Sequence, residues 1–261
     1  MGHVRVGRLP KSRSWRDVTS LLGTMPQDVQ SIAAAVLIAS DDRLRQVDND
    51  GALAYCFWLL TRLEAASDSS DFAGEVTELG LSAPEGTQLL TFLAAVSDRV
   101  WQTVGPSTDS GHFRELAALA LRRTLLETAG EQGPSLFGST VEQLQEGLRR
   151  NSGAEQFARV STLFFGDFVA RVLRASVDRD LANHVGADEA LKGTGDSAAF
   201  SRDLERYAWE SARIVHDFSR DWYAKRRWQE NSKITPRQAQ RFVGVALRKL
   251  RTELALAGTT E

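Results

Sequence analysis

Between Phe200 and Trp222 the apolar residues return every three or four positions, a period that suits a helix and little else. Stepped at about 100° per residue, Phe200, Leu204, Tyr207, Ser211, Ile214, Val215, Phe218 and Trp222 fall within an arc of about 100°. Arg202, Arg206, Arg213, Arg220 and Arg227 gather on the opposite side, with Trp209 and His216 on the flank. Glu210 and Asp217 stand three or four residues from Arg206, Arg213 and Arg220, a spacing that predicts an intrahelical ion-pair ladder on a solvated face. Arginines beside aromatic rings would also suit nucleic-acid phosphates and bases, the alternative for this ridge.

The next helix differs in its charge. Thr235-Pro236-Arg237-Gln238 is a start signal: a Thr N-cap, a proline in the first turn and a Gln placed to close a capping box. Ala239, Phe242, Val243, Ala246 and Leu250 then form the core face. Arg237, Arg241, Arg248 and Arg251 share the other side within about 80°. No carboxylate intervenes before Glu253, so these four are expected to lack local partners and to meet an external anion. Lys225, Arg226, Arg227 and Lys233 thicken the patch around Trp228. From Arg213 to Arg251 there are eleven basic and three acidic residues. This is the strongest interaction surface in the chain, suited to nucleic acid or to an acidic protein partner.

The net charge of −2 conceals an asymmetry. Residues 21–111 carry thirteen acidic and four basic side chains, whereas residues 201–261 carry eight and thirteen. Such a division suggests internal complementarity, association between copies, or separate partner surfaces. With 261 residues and 42% hydrophobic content the chain is long enough for a substantial core. Six prolines and little alternation favour an all-α fold. Cys56, the only cysteine, excludes an internal disulfide and reads as a buried structural thiol. No apolar run approaches membrane-spanning length and no signal peptide is evident, so a cytoplasmic protein with no membrane association is expected.

In chain order, residues 2–10 read as a short extended basic arm leading to a brief helix near residues 14–22. Helices are expected at about residues 24–40, 49–66, 82–104, 112–129, from 142, and 154–184. Residues 67–74 and 133–139 read as loops. Ser82-Ala83-Pro84-Glu85 and Ser139-x-x-Glu142 read as helix caps, and residues 186–197 as a polar link. The whole predicts a bundle of about eight helices with an extended N-terminal arm. Three parts are expected: the arm and short helix at 1–23, an acidic helical subdomain at 24–104, and a helical subdomain at 112–257.

The four histidines make no metal-ligand pattern, and no metal or cofactor is expected. His216 reads as solvated. Arg179-Asp180-Leu181-Ala182-Asn183-His184 resembles the arginine, polar residue, three residues, histidine motif of HEPN-type ribonucleases. The resemblance covers six residues. It implies a metal-independent RNase acting as a dimer, with His184 as general acid/base, Arg179 stabilising phosphate charge, and Asp180 or Asn183 orienting the imidazole. The same residues also suit a plain helix C-terminus, where a cationic histidine favours the dipole and Gly186 ends the helix. The leading expectation is a non-enzymatic subunit or adaptor working through its basic C-terminal face. The ribonuclease and a purely structural, oligomerising protein are the alternatives.

Overall fold

In the computed structural model, residues 16–18, 20, 29–47, 51–105, 111–130, 139–151, 153–181, 194–230 and 234–257 are described. The arm expected at residues 2–10 lies outside them. Among the described residues the fold is all-α, with no strand and one isolated bridge, between Gln88 and Thr140. The helices are α1 (Val29–Val47), α2 (Gly51–Ser67), α3 (Phe72–Glu78), α4 (Leu89–Thr103), α5 (Gly111–Gly130), α6 (Val141–Arg150), α7 (Ala154–Leu181), α8 (Thr194–Glu230) and α9 (Pro236–Ala257). A helical multi-helix bundle was the fold the sequence pattern called for.

The most extensive packing joins α7 to α8. The pair is antiparallel: the rings of Phe157 and Tyr223 stack at 4.2 Å, and Arg174 meets Glu205 at 3.4 Å farther along α7 and earlier along α8. Between these points Gly166 lets the helices close up. A Cβ there would lie 2.5 Å from the Trp209 ring. Gly147 does the same for α6 on α5, where a Cβ would fall 2.3 Å from the Thr128 carbonyl oxygen. At 37 residues α8 is the longest helix described, about 55 Å of rod.

The α2 helix is central, because Leu53, Cys56, Phe57, Leu59, Leu60 and Leu63 are all 0% exposed and face different neighbours. It contacts α3, α4, α5, α6 and α9. Phe57 is the hub of an aromatic cluster: its ring stacks on Phe242 of α9 at 4.6 Å and 5°, and reaches Phe165 at 5.4 Å and Trp222 at 6.3 Å. Next to it, the Trp58 indole N–H donates to the Ile234 carbonyl at 3.0 Å and pins the approach to α9. One apolar cluster runs from Val36 through Phe57 and Phe164 to Leu254, so the core continues across the break near residues 105–111.

Four local expectations are corrected. The residues from Ser82 onward do not cap a helix; Gly86 takes φ +76°, and α4 begins only at Leu89. Backbone pairing explains the delay, since Leu89 N–H donates to the Ser139 carbonyl and Val141 N–H to the Thr87 carbonyl. Glu142 likewise does not serve a Ser139 cap. Thr140 is the N-cap of α6, its N–H donating to Gln143 Oε1 at 3.0 Å, while Glu142 accepts from the Gly86 N–H at 2.9 Å. Within the expected loop at 67–74, Asp71 accepts from the Gly74 N–H at 2.9 Å and starts the short helix α3. The first full helix also continues past residue 40, because Leu44 and Val47, both 0% exposed, extend its apolar face.

Truncation at the hub should be costly. Phe57→Ala is expected to lower unfolding free energy by about 3–5 kcal/mol in a urea titration. Gly166→Ala should cost about 1–3 kcal/mol through the Trp209 overlap. A silent Phe57→Ala would place the core elsewhere.

Candidate functional site

The site is built on α9, whose orientation follows from its sequence. The Thr235 N–H donates to Gln238 Oε1 at 2.8 Å and the Gln238 N–H to Thr235 Oγ1 at 3.3 Å, a reciprocal capping box that fixes the first turn. Ala239, Phe242, Val243, Ala246, Leu247, Leu250 and Leu254 are buried against α1, α2 and α8. Phe242 sits among Phe57, Phe165, Phe218 and Trp222, with Phe218 at 4.8 Å and Trp222 at 4.6 Å. With that face committed, Arg237, Arg241 and Arg248 must point outward. All three are exposed and make no ion pair among the described residues. Along the helix axis they are separated by about 6 Å and then about 10 Å. Lys249 lies beside them with its ammonium 6.0 Å over the Phe218 ring. Lys225, also exposed and without an ion pair among the described residues, follows Trp222 by three positions on the α8 ridge that meets α9.

Arg251 belongs elsewhere. The sequence groups it with the partnerless row, but its Nε lies 2.6 Å from Asp41 Oδ1 and its side chain is only 15% exposed. The reason is angular: Arg251 sits at the edge of the arginine arc, where α9 meets α1. Asp41 also accepts from Arg45 Nε at 2.8 Å. Burial opposes ionisation of Asp41, but the hydrogen bonds and charges of Arg251 and Arg45 outweigh it and hold the carboxyl below its ordinary range. The acidic first half thus meets the basic tail at this point, and the contact is structural.

The arginines of α8 are neutralised only in part: the ladder the spacing predicts forms at Arg220 with Asp217, whereas Arg202 is exposed without an ion pair among the described residues. Arg206 pairs with Asp203 at 3.2 Å, and Arg220 meets Asp221 at 3.2 Å, Asp217 at 3.5 Å and Glu155 of α7 at 3.9 Å. Glu210 makes no ion pair among the described residues, so Arg213 remains exposed without one. His216, expected to be solvated, is half-buried with Nε2 3.2 Å from Glu155.

Two buried carboxylates escaped sequence reasoning. Asp167, 2% exposed on α7, takes Arg123 of α5 at 2.9 Å and Arg171 at 2.5 Å. Glu127, reaching Arg123 at 2.7 Å, does most to hold that guanidinium's pKa above its ordinary value, outweighing its partial burial with help from Asp167. Glu64 on α2, 1% exposed, accepts from the Tyr223 hydroxyl at 2.5 Å. Asp167 was visible as a carboxylate four residues before an arginine on an apolar helix; nothing local marked Glu64. Both tie helices together and neither opens to an approach that the described residues show.

The HEPN-like residues lie at the limit of what is described. Arg179 belongs to the last turn of α7, but its side chain and all of His184 lie outside the described residues, as do the side chains of Arg226 and Trp228. Among the described residues no group of three or more His, Cys, Asp or Glu is placed to hold a metal ion, and no helix is long and apolar enough to cross a membrane. No protein-family model, curated protein or solved structure matches the chain.

Disruption of the Asp41–Arg251 pair should be modest and pH-dependent. Asp41→Asn is expected to cost about 1 kcal/mol at neutral pH, given partial exposure. Because the folded pKa is depressed, the contribution is complete above the ordinary carboxylate value of 3.8 and disappears as pH falls through the lower folded value. Unfolding curves of wild type and Asp41→Asn should therefore converge only in strong acid; a constant difference from neutral pH to acid would rule out this origin.

Proposed function

We propose that the chain is a non-enzymatic cytoplasmic subunit or adaptor that binds nucleic acid through the exposed face of α9. The observation that carries this reading is the row Arg237, Arg241 and Arg248: exposed, without ion pairs among the described residues, and mounted on one rigid helix. Other arginines pair with the protein's own carboxylates, as at Arg123, Arg171, Arg206, Arg220 and Arg251. Although Arg159, Arg202 and Arg213 are also exposed without an ion pair among the described residues, α9 sets three such arginines in one row. Guanidinium groups suit phosphate oxygens because their fixed fork of donors gives two parallel hydrogen bonds. A linear array of cations matches a ligand with a repeating charge, which favours a phosphodiester chain over the irregular carboxylates of a protein surface. Lys225 and Lys249 add cations near the same helix pair. Among the described residues no buried general acid or base is placed beside these arginines, and the reading is of binding without turnover.

Fluorescence anisotropy with a labelled single-stranded RNA and a DNA duplex across a salt series tests it. Wild type should bind with affinity falling steeply as salt rises. Arg237→Gln, Arg241→Gln and Arg248→Gln should each reduce the slope of log affinity against log salt by about 1. Arg251→Gln should leave the slope unchanged while lowering stability. RNA recovered afterwards on a denaturing gel should be intact. Binding indifferent to salt, or unchanged in the triple variant, would contradict the proposal; cleavage abolished by His184→Ala would replace it with the ribonuclease.

A further inference from the structure

We infer that a single nucleic-acid strand crosses α9 directly over Gly244, its backbone lying against the helix between Arg241 and Arg248; this rests on the binding proposed above. Glycine is the poorest helix former after proline, so a glycine nine residues into α9 calls for a reason. In the other helix interiors the fold supplies one: Gly147 clears the Thr128 carbonyl and Gly166 clears the Trp209 ring. Gly244 clears nothing of the kind. A Cβ built there would meet only Arg248 Nη1, at 4.0 Å, which is ordinary contact. Gly80 and Gly86 are explained by positive φ.

Gly244 lies on the arginine side of α9. It follows Arg241 by three residues and precedes Arg248 by four, so helical geometry stacks all three on one strip about 10 Å long. The Arg248 guanidinium already leans back toward Gly244. Without a side chain, the strip has a low point flanked by two exposed cations. A sugar-phosphate backbone could reach the helix surface there and present phosphate oxygens to both guanidinium groups at once. Glycine is the residue that permits a ligand's backbone such an approach. Two flanking arginines supply the charge complementarity, and a strand, rather than a globular partner, is narrow enough to enter between them.

Gly244→Ala and Gly244→Gln add bulk without changing charge, and both improve helix propensity. With labelled single-stranded RNA at fixed low salt, the alanine variant should bind several-fold more weakly and the glutamine variant about tenfold more weakly. The salt slope should fall by no more than the loss of the Arg241 and Arg248 phosphate contacts accounts for, since the cations themselves remain. Melting temperatures should rise or hold, which separates a blocked contact from a damaged fold. If both variants bind like wild type while Arg241→Gln and Arg248→Gln bind weakly, the crossing over Gly244 is wrong and the α9 interface stands. If wild type does not bind, both fall together.

Discussion

The seat of Phe242 decides what α9 shows to the outside. Its ring lies parallel to Phe57 at 4.6 Å and is closed in by Phe218, Trp222 and Phe165. Rotating α9 by even a third of a turn would expose that ring and drive arginines into an aromatic core, at a cost of several kcal/mol for each charge. Two contacts hold the helix at its ends: Trp58 to Ile234 before its first turn, and Asp41 to Arg251 near its last. A helix fixed in rotation and at both ends presents side chains in a constant pattern. That constancy, more than any single contact, makes Arg237, Arg241 and Arg248 a surface rather than a scatter of charges.

Charge in this protein falls into two kinds. Half of the described arginine side chains of α5, α7 and α8 have carboxylate partners, and Arg123 reaches across helices to a buried Asp167. Exposed pairs of this sort contribute little, typically under about 1 kcal/mol, but they cancel the field that would attract a polyanion. On α9 three arginines keep their field. Leaving them unpaired costs the fold almost nothing in water, so stability gives no reason for or against the row.

The repeat of three and four made the helices legible, and the capping box at Thr235 was legible to the atom. What could not be read was decided at long range. The backbone of Thr87 and Leu89 pairs with residues fifty or more positions away, which overrides a proline-marked helix start at Ser82. Arg251 shares the arginine arc with Arg248 but lies at its edge, and the position of α1 there decides that it is paired. His216 is half-buried because Glu155 arrives from α7, and Glu64 finds Tyr223 across 159 positions of sequence. Local pattern gives the face of each helix; which neighbour arrives there belongs to the packing.

Arginine modification by phenylglyoxal, mapped by mass spectrometry with and without single-stranded RNA, tests the central claim most directly because it reports each guanidinium separately. In the free protein Arg237, Arg241 and Arg248 should react readily and Arg251 slowly, since Asp41 holds it. With RNA present the first three should be protected, while Arg213 on α8 keeps its reactivity. Protection confined to arginines outside α9, or no protection at an RNA concentration that saturates binding, would contradict the account.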